Sequence, residues 1–376
     1  MIATYSIISI LLTGLYLVVL LYLIKGWASL KPPRIHLSGF STKVTVLIAA
    51  RNEEESIHLT IEDILAQDYP KELTEIIIVD DHSTDSTSNI IRSYAGKGVK
   101  LLQLNEHKPL NSYKKKAISE AIALSTGELM VATDADCRMG SNWLSTIVGY
   151  FEAENPVMIS SPVSYFEEHS LFERMQGLEF SYLMGIGAAF IGNGRASTCN
   201  GANLAYRKDV FYEVGGFRGI DELASGDDEL LLQKVAQRFP GRILFTKLSN
   251  AIVYTHAKHN LASFIQQRRR WASKSTRYKD KKIVVLAVGI WLFNILLLVS
   301  AALSFFSADI FKLLLLQFAL KLAFEAWFLT PIMFFFKRLR LLPLILLVSP
   351  LHVIYMAYIG LISNNSQYVW KGRTVR

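Results

Sequence analysis

Leu129-Met130-Val131-Ala132-Thr133-Asp134-Ala135-Asp136 decides how this chain is read. An uncharged run, short and followed by acids, predicts a buried strand over Leu129–Thr133. The strand stops at two carboxylates in alternate positions. Just upstream, Lys114–Leu124 has the pattern of a helix and Val99–Leu104 that of another strand. Further back comes a strand over Glu75–Val79 that ends at Asp80-Asp81. The turn His82-Ser83-Thr84-Asp85 then caps a helix running to about Tyr94. The first repeat of the pattern is a strand over Val44–Ala49, the polar break Arg51-Asn52-Glu53-Glu54-Glu55 and a helix over Ser56–Gln67. Strands and helices alternating at this length predict an α/β fold, a mostly parallel sheet with helices on both faces. Ligands of such sheets bind beyond the carboxyl ends of the strands, where both aspartate pairs fall. Downstream the pattern loosens. Asn200–Arg207 reads as a loop entering a short strand, Asp227–Arg238 as a helix and Leu261–Lys274 as a basic helix.

Half of the 376 residues are apolar, and the excess is concentrated. Ala3–Ile24, Ile283–Phe306 and Leu341–Ser363 carry no charge, and each is about as long as the ~20 residues a helix needs to cross a bilayer. Leu313–Phe336 is similar but contains Lys321 and Glu325, four apart on one helix face, where they can pair inside a bundle. The net charge of +8 belongs mostly to the membrane flanks: residues 1–40 hold three bases and no acid, residues 283–376 eight bases and two acids. That placement suits membrane orientation and anionic lipid and argues against a nucleic-acid partner. The expected organisation is an N-terminal transmembrane anchor over 1–25 and a domain over 40–280 ending in an interfacial amphipathic helix. Membrane segments over 283–363 and a basic tail over 364–376 follow. Lys25, Lys31 and Arg34 after the first segment predict an uncleaved anchor with the following domain inside. Cys137 and Cys199 suggest no disulfide framework and suit a reducing cytosol.

Several polar groups offer chemistry. Asp134 and Asp136 suit a hard divalent cation, Mn²⁺ or Mg²⁺, bridging a diphosphate, although D-x-D also arises in plain acidic loops. Asp81 either joins Ser83 in capping the next helix or accepts hydrogen bonds from a ribose or base. Gly226-Asp227-Asp228-Glu229 either favours a helix dipole or supplies a general base. Lys114-Lys115-Lys116 is a solvated helix end or brings a lysine to phosphates. Gln267-Arg268-Arg269-Arg270-Trp271, followed by Lys274, Arg277 and Lys279 to Lys282, reads as a helix whose cations meet lipid headgroups. Arg270 and Trp271 also suit pyrophosphate and sugar.

The order of these groups is more informative than any one of them. Ala50-Arg51-Asn52-Glu53, Val79 to Asp85, Asp134-Ala135-Asp136, Gly226-Asp227-Asp228 and Gln267-x-x-Arg270-Trp271 precede a trailing set of membrane segments. This arrangement resembles the membrane-bound family 2 glycosyltransferases, which include cellulose, chitin and hyaluronan synthases and ceramide glucosyltransferase. The resemblance implies a GT-A type nucleotide-sugar-binding domain flanked by transmembrane helices, and a metal-dependent, inverting transferase. The donor would be a nucleotide-sugar, usually a UDP-sugar in the family, and the acceptor a lipid or lipid-linked glycan. It further implies an integral protein of a bacterial inner membrane with a cytoplasmic catalytic domain. Residue by residue, Arg51, Glu53, Asp81 and Lys114 would bind the donor. Asp134 and Asp136 (the DXD motif) would engage its diphosphate, with Asp136 the stronger metal ligand. Asp228, beside Asp227, would be the base. Gln267, Arg270 and Trp271 (QXXRW) would border the pyrophosphate and the acceptor. Gly201 and Asn203 would line the acceptor side. The sequence departs from the family in having His82 where Gly is common and Gly226-Asp227-Asp228 where Thr-Glu-Asp is frequent. His tolerates unusual turns, and the second change keeps the final carboxylate.

Three full crossings after an internal domain would leave Lys371-Gly372-Arg373 outside, against the positive-inside rule. One late segment is therefore expected not to span: Leu341–Ser363, with Pro343 and Pro350, or Leu313–Phe336. A processive polysaccharide synthase and a non-catalytic membrane subunit with a nucleotide-binding fold remain as alternatives.

Overall fold

The computed structural model describes residues 2–106, 110–274, 281–362, 368–370 and 373–375. The chain opens with α1 (Ile2–Ser29). It continues through β1 (Val44–Ala50), α2 (Ile57–Leu65), β2 (Thr74–Asp80), α3 (Thr87–Ser93), β3 (Val99–Gln103), α4 (Tyr113–Leu124) and β4 (Leu129–Asp134). Next come β5 (Arg138–Met139), α5 (Trp143–Glu154), β6 (Met158–Ser160), β7 (Val163–Phe166), α6 (Leu171–Gly192), β8 (Leu204–Arg207), α7 (Lys208–Glu213), α8 (Glu229–Arg238), β9 (Ile243–Phe245) and β10 (Val253–His256). It closes with α9 (Leu261–Ser273), α10 (Lys281–Leu303), α11 (Ala308–Phe335), α12 (Ile345–Ile362) and a hairpin of β11 (Tyr368–Trp370) and β12 (Arg373–Val375).

These elements form two compact units. One, the sheet unit, comprises residues 29–167, 190–257 and 367–376; the other, the helical unit, comprises 1–28, 168–189 and 258–366.

The sheet unit is built on seven strands in the order β3-β2-β1-β4-β8-β6-β9. β1 runs parallel to β2 and β4, β2 to β3 and β6 to β9, while β8 is antiparallel to β4 and β6. The four leading strands are the predicted ones; β1, β2 and β4 are buried nearly throughout, as parallel strands covered on both faces must be, while β3 at the edge is partly exposed. Chain order reverses between β1 and β4, which opens a crevice at their carboxyl ends. The register brings Ala50 opposite Asp80 and Ala49 opposite Asp134, so the acidic strand ends share one edge. Asn203 anchors the far half of the unit. It is wholly buried, accepts a hydrogen bond from Trp143 Nε1 at 3.0 Å and donates to the Pro162 and Ala251 carbonyls.

In the helical unit, α1, α10, α11 and Leu339–Leu361 are long and apolar enough to cross a membrane. Lys321 and Glu325 pair as expected and are buried. Tyr16 donates to Glu325 Oε1 at 2.5 Å, and Ser349 links both members of the pair at 2.8 Å. α11 runs unbroken through Pro331. The Leu341–Ser363 segment begins in a 3₁₀ turn, Leu339–Leu344, that contains Pro343, and then continues through Pro350 as α12. α9 packs on α6 and α12 through its first arginine. Arg268 is 2% exposed, bonded to Glu179 at 2.6 Å and stacked between Phe264 and Trp271. The expectation that these arginines meet lipid thus fails for Arg268, because a buried guanidinium needs a paired carboxylate. Arg277, Lys279, Lys371 and Gly372 lie outside the described residues.

Candidate active site

The loops after β1 and β2 are laced together. Arg51 donates from Nη1 to the Asp81 and His82 carbonyls at 2.8 and 2.7 Å. Asn52 accepts from Thr84 N at 2.9 Å, and Glu53 N donates to Thr87 Oγ1 at 2.8 Å. His82 adopts φ +53°, the left-handed turn that a Gly reaches without strain. Asp80 turns back into the fold toward Ser88, Ser83 N and Gln103. Asp81 instead meets Arg373 of the tail hairpin, which donates to both carboxylate oxygens at 2.8 and 2.9 Å. The Arg373 guanidinium lies over the Tyr113 ring at 3.7 Å. Burial and the Arg373 charge lower the Arg51 pKa.

The loop after β4 is fixed from below by Thr60 of α2, whose hydroxyl bonds the Ala135 and Cys137 carbonyls at 2.8 Å. Oxygens of Asp134 and Asp136 and the Cys137 sulfur lie within 4.8 Å of one another. The donor set fits Mn²⁺ or Mg²⁺ through the two half-buried carboxylates. Cys137 is a poor third ligand, because burial and then the neighbouring Asp136 and Asp134 push its thiol pKa well up.

Lys114 connects this group to a second pair of acids. Its ammonium is 2.6 Å from Asp134 Oδ1 and 3.3 Å from Asp227 Oδ2. Burial works against its charge, but Asp134 and then Asp227 outweigh that and raise its pKa. Asp228 caps α8 by accepting from Glu229 N at 2.6 Å, and its other oxygen accepts from Gly201 N at 3.0 Å. A side chain at Gly201 would come within 3.2 Å of the Asp228 Cβ, so glycine is what lets the two loops meet. The site therefore assembles carboxylates at the sheet's switch point, a lysine shared between them and a helix-capping aspartate.

A sequence model described as "Glycosyl transferase family 2" matches residues 45–215. Residues 45–215 are a family 2 glycosyltransferase domain. The beta-monoglucosyldiacylglycerol synthase of Nostoc sp. is 31% identical over 118 residues, 31% of this chain and 25% of that protein. The hyaluronan synthase of Streptococcus pyogenes is 27% identical over 241 residues, 61% of this chain and 56% of that protein. The chain thus spans about half or less of the length of these curated relatives. Among solved structures, the mannosyltransferase PcManGT from Pyrobaculum calidifontis, in complex with GDP-Man and Mn²⁺, superposes with a TM-score of 0.64 at 19% identity. The match covers 93% of this chain and 99% of that one. The fold is GT-A.

Within the glycosyltransferase domain and the rest of the sheet unit, the structure brings Asp134, Lys114, Asp227, Asp228 and Gly201 together, with Asp136 beside Asp134. Arg51 and Asp81 share the neighbouring turn, and Glu53 is half-buried in the loop before α2. Asn203, expected on the acceptor side, has its amide bonded within the core instead, because three interior groups need its donors and acceptor. Gln267, Arg270 and Trp271 sit on α9 of the helical unit, with Gln267 accepting from Arg268 at 2.8 Å. Sequence reasoning missed Arg373, Tyr113 and Thr60 as neighbours of the site. An aromatic preceding the lysine run was the one visible hint.

Proposed function

We propose that the protein is an inverting glycosyltransferase that moves a sugar from a nucleoside diphosphate donor, of the UDP-sugar type, to a lipid or lipid-linked acceptor at the cytoplasmic face of a membrane. The observation that carries this reading is Lys114, which ties the strand-end aspartates to the acids at the start of α8. A phosphate-binding group and a base belong together in a single displacement. Asp228 takes the proton of the acceptor hydroxyl as its oxygen attacks the anomeric carbon. The bond to the diphosphate oxygen breaks on the opposite face, so an α-linked donor gives a β-linked product. Mn²⁺ or Mg²⁺ held by Asp134 and Asp136 would neutralise the departing diphosphate. Lys114 supplies a fixed positive charge beside it. Gly201 N keeps the Asp228 carboxylate oriented.

The four apolar helices, and the name of the Nostoc relative, favour a diacylglycerol-like acceptor in the membrane. In the helical unit, the polar side chains of Lys321, Glu325, Tyr16 and Ser349 are bonded to one another. That closed arrangement suits a single addition better than a polar channel for a growing chain. The test is release of nucleoside diphosphate from UDP-glucose, UDP-galactose and GDP-mannose by detergent-solubilised protein, with and without diacylglycerol. Turnover with one donor, dependent on Mn²⁺ or Mg²⁺ and raised by the lipid, is expected. Asp228→Asn should keep Mn²⁺–nucleotide binding and lose about 10²–10⁴-fold in transfer. Full transfer by Asp228→Asn would refute the base assignment.

A further inference from the structure

The lysine run on α4 contains two different residues in structural terms. Successive helix positions are turned by about 100°, so Lys114 faces the open aspartates while Lys115 points inward and is 1% exposed. Its ammonium donates to the carbonyls of Leu223 at 2.5 Å and Ser225 at 2.7 Å. These two residues immediately precede Gly226-Asp227-Asp228. Gly226 itself holds φ +84° and would clash with Leu230 if it carried a side chain, so the loop enters α8 by a tight, specific path. A lysine is expensive to bury unless its donors are used. Here they are used on the backbone that presents the proposed base.

We propose that Lys115 is a positioning residue for transfer: it holds the loop before Asp228 so that the base sits at a fixed distance from the donor-binding aspartates. One rigid helix then makes both connections, Lys114 to Asp134 and Asp227, and Lys115 to the segment that carries Asp227 and Asp228. The spacing between donor side and acceptor side is thereby set by two adjacent residues of α4, although they are more than a hundred positions from the loop in sequence. This inference rests on the reading of Asp228 as base. It predicts a defect in the use of the acceptor, with donor binding spared.

The experiment compares wild type, Lys115→Met and Lys115→Arg as full-length detergent-solubilised protein. Three quantities are measured: binding of UDP with Mn²⁺, slow hydrolysis of UDP-glucose without acceptor, and transfer to dioleoylglycerol in mixed micelles. Lys115→Met should keep nucleotide binding and hydrolysis near wild type. Its ratio of transfer to hydrolysis should fall on the order of 10²-fold, the scale of an ångström-sized misplacement. Lys115→Arg keeps the charge but not the geometry and should lower the ratio less. Hydrogen exchange should rise over residues 217–228 and not over 129–136. A wild-type ratio, or unchanged exchange in that loop, in either folded variant overturns the proposal. So does an equal loss of hydrolysis and transfer. If wild type itself neither hydrolyses nor transfers, the glycosyltransfer reading fails, and exchange over 217–228 still decides what Lys115 holds.

Discussion

The two ends of the same parallel sheet treat carboxylates in opposite ways. At the amino ends of the strands, Glu75 is filled: Oε1 accepts from Lys100 at 2.6 Å, and Oε2 from Thr45 Oγ1 at 2.6 Å and Thr126 N at 2.7 Å. At the carboxyl ends, the Asp134 side chain is 37% exposed, shares Lys114 with Asp227 and lies beside Asp136. A saturated carboxylate ties segments of chain together. Half-buried carboxylates gathered side by side, with one cation divided between two of them, suit an ion and a phosphate. On the proposed function, stability belongs to one end and chemistry to the other.

The largest expected effect tests the open end. Asp136→Ala should abolish Mn²⁺-dependent nucleotide binding and cut turnover by about 10³-fold. Its melting temperature should stay within a few degrees of wild type, since the residue is half-buried at a loop. Isothermal titration with Mn²⁺ and UDP, beside a thermal melt, checks both. A large fall in melting temperature with binding intact would reverse the comparison.

The strands and the acids at their carboxyl ends were legible in the sequence, and the reason is local. Val44–Ala50, Thr74–Asp80, Val99–Gln103 and Leu129–Asp134 are apolar runs that stop at polar turns, so their strand character and ends are fixed by neighbouring residues. β6, β7, β9 and β10 have only three or four residues each, too few for a period to declare itself. α6 was missed because Leu171–Gly192 mixes Glu, Arg, Ser and Gly among its apolar positions. At the site, the positions of Asp134 and Asp136 past a strand and of Asp228 at a helix start were readable locally, while the roles proposed for them were chosen only with the family resemblance. The contacts Arg373 to Asp81 and Lys115 to Ser225 join residues remote in sequence, and only tertiary packing shows that the Asn203 amide is bonded in the interior. Runs of like charge hide such division of labour: Lys115 and Arg268 are buried, and nothing about the residues beside them in sequence says so.

The helical unit supplies a third carboxylate for the comparison, saturated like Glu75 but paired with a buried lysine where Glu75 has an exposed one. Glu325 accepts from Lys321, Tyr16 and Ser349, with the Lys321 side chain 1% exposed. Glu325→Ala strands the ammonium in an apolar interior and should cost about 3–5 kcal/mol, whereas Lys321→Met combined with Glu325→Leu should recover most of it. Detergent thermal melts of the three variants measure this. An Ala variant as stable as wild type would mean that Lys321 finds another partner, and the cluster would then count as open.

The smallest effect lies at the amino ends of the sheet and is best seen against pH. Burial raises the Glu75 pKa, but the hydrogen bonds from Lys100, Thr45 and Thr126 N outweigh it and leave the carboxyl below the ordinary glutamate value. A carboxyl whose pKa is lower folded than unfolded stabilises the fold at pH above its unfolded pKa, and the contribution disappears as pH falls through the folded value. Wild type should therefore lose this part of its stability on acidification from about pH 5 downward. Glu75→Gln, unable to ionise, should cost about 1–2 kcal/mol at pH 7 and should show a shallower decline over the same range, with nucleotide binding unchanged. If Glu75→Gln instead weakened Mn²⁺–UDP binding, the two ends of the sheet would be coupled through β1 and β2, and the division between a structural end and a chemical end would not hold.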